Sequence, residues 1–205
     1  SGVYRPGPRV AAGPEGEAVA VWWKIGATNL NEVWASTFAA GAWHGTGANS
    51  SRLVDAYDPL GECRADFDIA MDGLGVATIA WTYCADNSGA SSSIFAVRSD
   101  DWATLTRVSG DETPSLYPFY PSVAANETGK VFVGWFDYDG QTYDETAVRV
   151  NRFDGTWTDP ATISTAPATD EPQLALAVDS AGTATAVWRA LSYLAGPLVS
   201  ARYVT

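Results

Sequence analysis

The chain has few of the residues on which most metal and redox sites depend. Its 205 residues include two cysteines, one histidine and one methionine. A single histidine, His44, excludes metal sites built from several histidines and disfavours a conventional Ser-His-Asp triad. We therefore expect no cofactor, with calcium as the one alternative.

Positive charge is also scarce, since Lys24 and Lys130 are the only lysines and the net charge is -12. An excess of negative charge argues against nucleic acid and anionic membranes as partners. No apolar run approaches the roughly 20 residues that span a bilayer, so membrane insertion is not expected. Hydrophobic residues make up 46% of the chain, which indicates one folded domain over residues 1–205 rather than a disordered chain.

One short pattern recurs four times in the same register. Each copy carries an Ala five residues before a Gly and a Trp six residues after it. The glycines are spaced 59, 54 and 53 residues apart, which favours a repeat architecture over chance. The Gly–Trp pairs are Gly16 and Trp22, Gly75 and Trp81, Gly129 and Trp135, and Gly182 and Trp188.

Each copy is typical of a β-hairpin, because glycine supplies the positive φ of a tight turn and the following residues are small or β-branched. Third strands are predicted after each hairpin, and a fourth strand is predicted at Ala103–Val108. Three to four antiparallel strands per repeat, with no helical period, predict an all-β propeller of four blades. The predicted repeats cover approximately residues 8–59, 60–113, 114–166 and 167–205, and the predicted third strands are Val33–Phe38, Ile94–Arg98, Val148–Phe153 and Leu198–Tyr203.

The last predicted blade is incomplete. The spacing of the first three copies leaves 39 residues for the fourth, about one strand too few. One interpretation is a self-closed ring of four blades to which Ser1–Arg5 adds a short strand. The other is a larger propeller, cut or assembled from several chains, whose open edge would invite pairing with another chain.

Cys63 and Cys84 flank the second predicted hairpin. In a register that places Met71 opposite Val76, the two cysteines also face each other, at a separation that suits a disulfide. A bridge would indicate an oxidising compartment, and hence a secreted or periplasmic protein. The alternative is two buried free thiols.

Aromatic residues that break the repeat are the candidates for ligand binding, since aromatic faces stack on the apolar faces of sugars. The loops that follow the repeated tryptophans are the second source of candidates, because binding residues concentrate on loops held by a rigid scaffold. The alternative is extra packing for Trp23 and Trp34 and a simple surface turn for His44. The predicted ligand-binding residues are Trp23, Trp34, His44, Tyr83, Phe136 and Tyr138.

The third of these loops is strongly acidic. Asp137, Asp139, Asp144 and Glu145 surround Gly140 and offer the oxygen ligands that Ca²⁺ prefers, although without the spacing of an EF-hand. The alternative is a solvated acidic loop.

Three arginines, Arg98, Arg152 and Arg202, fall at similar places in the third strands. They could converge on an anionic ligand or form an ion pair within each blade, and the second interpretation is favoured.

The hairpin pattern resembles the repeats of secreted bacterial β-propellers, including the sialidase-like group with its Asp-box hairpin. The resemblance is carried by segments such as Asp179-Ser-Ala-Gly182-Thr-Ala-Thr-Ala-Val-Trp188. Both the Asp-to-Gly and the Gly-to-Trp spacings are longer than in the Asp-box, so the resemblance implies a fold and transfers no catalytic residue.

Surplus aromatics, distinctive loops and the shortage of catalytic residue types favour a non-catalytic secreted binding module, with a glycan or another extracellular ligand as its partner. One alternative is an assembly subunit that self-associates through an open blade edge. The other is a fragment of a glycosidase or polysaccharide lyase, for which paired carboxylates would suffice chemically.

Overall fold

The computed structural model describes residues 7–27, 30–45, 51–57, 66–84, 92–110, 116–139, 145–165, 173–189 and 198–203. These residues form sixteen strands in four antiparallel sheets. Within them, no helix has the length and apolar character needed to cross a bilayer. The all-β propeller with four blades, predicted from the repeat, is confirmed.

Each sheet is one blade. The strands of blades 2, 3 and 4 pair in chain order, whereas in blade 1 the fifth strand pairs with the third. Blade 1 contains β1 (Arg9–Ala12), β2 (Ala18–Ile25), β3 (Asn31–Ala39), β4 (Ala42–His44) and β5 (Arg52–Tyr57). Blade 2 contains β6 (Phe67–Met71), β7 (Ala77–Cys84), β8 (Ser92–Arg98) and β9 (Asp101–Arg107). Blade 3 contains β10 (Leu116–Ala125), β11 (Val131–Asp139), β12 (Glu145–Phe153) and β13 (Ala161–Ser164). Blade 4 contains β14 (Ala175–Val178), β15 (Ala184–Arg189) and β16 (Leu198–Tyr203).

The repeated glycines close the hairpins between the first and second strands. All four have positive φ, between 77° and 88°, a region that costs glycine nothing and other residues free energy. In the second hairpin the amide of Gly75 donates to the carbonyl of Asp72, and the amide of Asp72 donates to the carbonyl of Val76. The loop between the two strands is therefore three residues long. In hairpins of this class a type I turn is followed by a residue in the left-handed conformation, here the glycine.

A side chain at the start of three of these loops stabilises the turn. Asp72 Oδ1 accepts hydrogen bonds from the amides of Leu74 and Val76, at 3.0 and 2.9 Å. Asn126 Oδ1 and Asp179 Oδ1 make the equivalent bonds in the third and fourth hairpins. Asn126 Nδ2 also donates to the carbonyl of Asp179, which ties the turns of blades 3 and 4 together. Short polar side chains that bond their own backbone are the reason that Asp and Asn suit this position.

The core lies between the blades, not within a sheet. The residues of β2 and β3 on one face form a cluster with those of β6 and β7, and further clusters join blade 2 to blade 3 and blade 3 to blade 4. The repeated tryptophan of each later blade packs on the blade before it, as the repeat predicts. Trp81 and Trp135 are 0% exposed and Trp188 is 1% exposed.

The first and last blades each keep one face uncovered. Trp22 occupies the repeat position of the three buried tryptophans, yet it is half-exposed because no blade precedes it among the described residues. In blade 4 the side chains of β14 and β16 alternate between half-buried and exposed. None of the hydrophobic clusters of the described residues joins blade 4 to blade 1. The described blades therefore form an open arc, and Ser1–Arg5, the segment predicted to close the ring, lies outside the described residues.

The repeated arginines form ion pairs inside their own blades, which is the interpretation that the sequence favours. Arg98 Nη2 lies 3.5 Å from Asp72 Oδ2, and Arg202 Nη2 lies 3.8 Å from Asp179 Oδ2. Arg152 has Asn126 at the corresponding turn position and pairs with Asp154 instead. The pairs of Arg98 and Arg202 anchor the third strand to the hairpin turn.

The predicted register of the second hairpin is wrong by one residue. Met71 lies opposite Ala77 and Phe67 opposite Trp81, because the three-residue loop places Asp72, not Met71, across from Val76. The described pairing begins at Phe67 and so does not reach Cys63. Cys84 is 2% exposed at the end of β7, and Cys63 lies outside the described residues. The disulfide stays a prediction.

The bridge can be tested by mass spectrometry. We expect denatured, unreduced protein to take up no alkyl group from iodoacetamide, and reduced protein to take up two, because both cysteines of the chain would be joined. Loss of the bridge would cost about 3 kcal/mol in the chain-entropy model, so the reduced protein should also melt earlier. Alkylation without reductant would disprove the pairing.

Candidate functional site

The first strands of successive blades contact one another and so lie innermost in the arc. Their ends away from the hairpin turns bring together a group of polar and aromatic side chains. We call this group the inner-strand site. It consists of Arg9 on β1, Asp66 and Asp68 at β6, Phe119 and Tyr120 on β10, and Tyr138 on β11.

The polar half of the inner-strand site joins three blades. Asp68 Oδ1 lies 3.8 Å from Arg9 Nε, and Asp68 Oδ2 accepts a hydrogen bond of 2.9 Å from the amide of Val123. Asp68 also bonds the side chain of Ser122. Arg9, Asp68 and Ser122 each precede the turn glycine of their blade by seven residues. The repeat thus places one polar side chain on each of three inner strands, where the strands converge.

Burial makes both aspartates weaker acids. Desolvation raises the pKa of Asp66 from 3.8 to about 6, with the hydrogen bond from the Phe67 amide and the charge of Arg9 acting against it. Burial also raises the pKa of Asp68, opposed chiefly by the hydrogen bonds it accepts from Val123 and Ile69. A carboxyl with a pKa near 6 is partly protonated close to neutral pH, so it can both donate and accept a hydrogen bond or a proton there.

The aromatic half depends on a β-bulge in β10. Between Phe119 and Ser122 the pairing with β11 shifts by one residue. Pro121 lies in this bulge and has no amide to donate to the ladder, which is why proline in a sheet is confined to edges and bulges. Tyr120 adopts a φ of 57°, an unusual conformation for a bulky side chain.

The bulge turns three rings toward one another. The centroids of Phe119 and Tyr138 are 5.5 Å apart at an interplanar angle of 81°, and Tyr120 lies 6.3 Å from Tyr138. All three rings are half-exposed. Bulges next to binding sites commonly redirect a side chain, and strained backbone concentrates at such sites. The same strand carries Ser122 and Val123, which bond Asp68 just beyond the bulge.

The structure brings only one of the predicted ligand-binding residues, Tyr138, into the inner-strand site. Phe136 is 1% exposed between blades 3 and 4, so it belongs to the core. Trp23 packs in the cluster between blades 1 and 2, and Tyr83 contacts the same cluster and the edge of Phe95. All three residues contact the clusters between blades, and packing was the alternative interpretation for Trp23. Ligand binding by these residues stays a prediction.

Trp34 and His44 lie elsewhere on blade 1. Trp34 Nε1 donates to Glu32 Oε2 at 2.7 Å, and Lys24 Nζ lies 3.9 Å above its ring. Trp34 is on the uncovered face of the blade, beside Trp22 in the β2–β3 pairing. The ring of His44 is exposed on the outer strand β4 and hydrogen-bonds the carbonyl of Ala39 at 3.0 Å.

Of the predicted calcium ligands, the side chains of Asp137 and Asp139 lie among the described residues. Asp137 is buried, accepts a hydrogen bond of 2.9 Å from Trp135 Nε1 and lies 3.5 Å from Arg149 Nη1. Asp139 is half-exposed at the end of β11, while Asp144 and the side chain of Glu145 lie outside the described residues. Within the described part of the chain, no group of three or more acidic, His or Cys side chains could hold a metal. The calcium site stays a prediction.

Sequence reasoning missed Asp66, Asp68, Phe119 and Tyr120 because each lies upstream of the segment that repeats. A signal was nevertheless present. Aligning the four copies on their turn glycines places Asp66 and Tyr120 at one column and Arg9, Asp68 and Ser122 at another. The innermost strands of successive blades contact one another. Residues at equivalent positions of these strands are therefore brought close together.

No protein-family model matches the chain, and the curated protein sequences include no match to it. Its fold is similar to solved structures. The alpha-L-arabinanase of Penicillium chrysogenum complexed with arabinobiose aligns with a TM-score of 0.57 and 10% identity, over 97% of this chain and 65% of that one. The polysaccharide lyase Uly1 aligns with a TM-score of 0.52 and 9% identity, over 94% of this chain and 48% of that one. The GH93 alpha-L-arabinofuranosidase of Fusarium graminearum aligns with a TM-score of 0.51 and 14% identity, over 96% of this chain and 64% of that one.

These similarities support the propeller fold. The sequence identities are too low to assign the chain to a family. The chain spans less than two thirds of the length of each of these three proteins. A specifically sialidase-like relationship stays a prediction.

Proposed function

We propose that this protein is a secreted carbohydrate-binding module whose ligand sits in the inner-strand site. The observation that carries the proposal is the bulge at Tyr120, which gathers three half-exposed rings on blade 3, next along β10 to the residues that bond Asp68. Sugar rings have apolar faces that stack on aromatic side chains, and hydroxyl groups that donate to carboxylates. The site offers both, together with Arg9 as a donor.

The three structural neighbours support this class of ligand. Two are named for arabinan-directed activities and are complexed with arabinobiose, and the third is named a polysaccharide lyase. Arabinobiose is therefore the first probe, within a panel of neutral and acidic oligosaccharides. Because the identities are between 9 and 14%, the panel has to be broad.

Removing the rings should weaken binding. We expect Tyr138→Ala and Tyr120→Gly each to lower the affinity for the best oligosaccharide about two- to ten-fold, since an aromatic contact contributes about 0.5–1.5 kcal/mol. Glycine is chosen at position 120 because it tolerates the positive φ without strain. Isothermal titration calorimetry measures the change.

Trp43→Ala is the matched control, because Trp43 is an exposed aromatic on the outer strand β4, away from the inner-strand site. Its affinity should equal that of the unmodified protein. The proposal would be contradicted if the unmodified protein bound no oligosaccharide of the panel. It would also be contradicted if the unmodified protein and the three variants bound with equal affinity.

Hydrolysis of the bound glycan is the second candidate function. It is favoured by the pair Asp66 and Asp68, of which Asp66 has a pKa of about 6 and could donate a proton near neutral pH. If the protein releases reducing ends from the oligosaccharides of the panel, and Asp66→Asn abolishes this release, the protein is a glycosidase and not a binding module. Binding without turnover would retain the module.

A further inference from the structure

The two uncovered faces of the arc are complementary. The face of blade 1 that carries Trp22 also carries Val10, which is 66% exposed, and Leu53, which is 48% exposed. The corresponding tryptophan faces of blades 2, 3 and 4 are buried against the preceding blade. Exposed apolar surface of this kind typically marks an interaction site.

The opposite face of blade 4 carries the other half of the same interface. Val187 directly precedes Trp188, as Val21 and Ala80 precede the tryptophans of blades 1 and 2. Val21 and Ala80 are 0% exposed beneath the following blade, whereas Val187 is only half-buried. Leu198, on the same face of blade 4, is 75% exposed.

Every interface between blades in the described part of this chain joins a tryptophan face to the opposite face of the preceding blade. That opposite face is mainly aliphatic in blades 1 and 2 and also carries Phe132 and Phe136 in blade 3. One face of each type remains uncovered, at opposite ends of the arc. A surface that fits a different patch on an identical molecule produces a head-to-tail contact, which closes into a ring or extends as a chain of molecules.

We propose that the Trp22 face of blade 1 docks on the Val187 face of blade 4 in a second copy of this protein. The contact continues the established blade-to-blade packing from one molecule to the next. Trp22 then becomes buried, as its three equivalents already are. The proposal does not depend on carbohydrate binding, because the inner-strand site lies on different residues.

The first test is the mass in solution, measured by light scattering over a dilution series without added glycan. We expect a mass of at least twice 21.7 kDa, falling toward 21.7 kDa on dilution. Val10→Lys and Val187→Glu should each shift the equilibrium to monomer, since each places an unpaired charge in the contact. Leu105→Glu, at an exposed leucine on the outer strand of blade 2, should leave the mass unchanged.

Mixing decides whether the two faces meet each other. An equimolar mixture of Val10→Lys and Val187→Glu protein should recover dimers, because the intact blade 4 face of the first variant can meet the intact blade 1 face of the second. Each variant must also keep the circular dichroism and melting transition of the unmodified protein. A monomer at every concentration would overturn the proposal, and so would assembly that both substitutions leave intact.

Discussion

Replacing Trp81 with alanine should destabilise the protein by about 4 kcal/mol. The side chain is 0% exposed between blades 1 and 2, and truncating a buried tryptophan costs about 3–5 kcal/mol. Its indole Nε1 also donates to Asp55 Oδ2 at 3.0 Å, and this bond lowers the pKa of a carboxyl that burial raises. Without the indole, Asp55 loses the donor that compensates for its burial.

The matched control is Trp22→Ala, at the same repeat position. We expect a loss of only about 1–2 kcal/mol, because the Trp22 side chain is half-exposed. Denaturant unfolding in dilute solution, where the monomer predominates, measures both variants. Trp81→Phe should fall between them, since it keeps most of the buried ring and loses the hydrogen bond. Equal losses at positions 22 and 81 would contradict the open arc.

Replacing Asp66 with asparagine should stabilise the fold at neutral pH. The pKa of Asp66 is about 6 in the folded protein and near 3.8 in the unfolded chain, so ionisation favours unfolding. This loss of folding stability is absent below about pH 4, where Asp66 is protonated in both the folded and the unfolded state. It is complete above about pH 6, where Asp66 is ionised in both states. A shift of about two pKa units corresponds to about 3 kcal/mol, which partial exposure of the side chain reduces to about 1–3 kcal/mol.

Asparagine keeps an oxygen that can accept the hydrogen bond from the Phe67 amide, so the substitution removes the charge and leaves the local geometry. Unfolding free energies at pH 4 and pH 7.5 should show the gain at the higher pH only. Glu15→Gln, at an exposed position of the first hairpin turn, is the control and should change stability little at either pH. A gain for Asp66→Asn that is the same at both pH values would rule out ionisation as its cause.

A gain in stability joined to a loss of ligand binding would distinguish a functional residue from a structural one. Groups kept in an unfavourable environment are common in functional sites, where activity has been retained at the expense of stability. If Asp66→Asn binds oligosaccharide as well as the unmodified protein, Asp66 is not part of the binding site. The rings of the bulge would then carry binding without it.

The repeat was legible in the sequence because it depends on local chemistry. A glycine with positive φ and the alternation of small and β-branched residues specify a hairpin wherever they occur, and the spacing of Gly16, Gly75, Gly129 and Gly182 does not depend on packing. The predicted strands therefore lie close to β3, β8, β9, β12 and β16. The register of the second hairpin differed by one residue, because loop length depends on how the turn is hydrogen-bonded.

The candidate site could not be predicted in the same way. Trp23 was chosen because it interrupts the repeat and Phe136 because it begins a loop after a repeated tryptophan. Both pack between blades, because burial is decided by the neighbouring sheet. Asp66, Asp68 and Tyr120 come from segments far apart in the chain. They approach one another only because the inner strands of consecutive blades converge, and because Pro121 interrupts the ladder beside Tyr120.

By itself, the sequence determined that this protein consists of four copies of a hairpin-based blade, because each copy is specified by contacts within a few residues. The tertiary structure decided which side chains meet on the inner strands and which of four equivalent tryptophans stays uncovered by the described residues. Those outcomes depend on the packing angle between sheets and on what covers each face. Both depend on contacts between residues that are far apart in the chain, and a local sequence pattern does not contain that information.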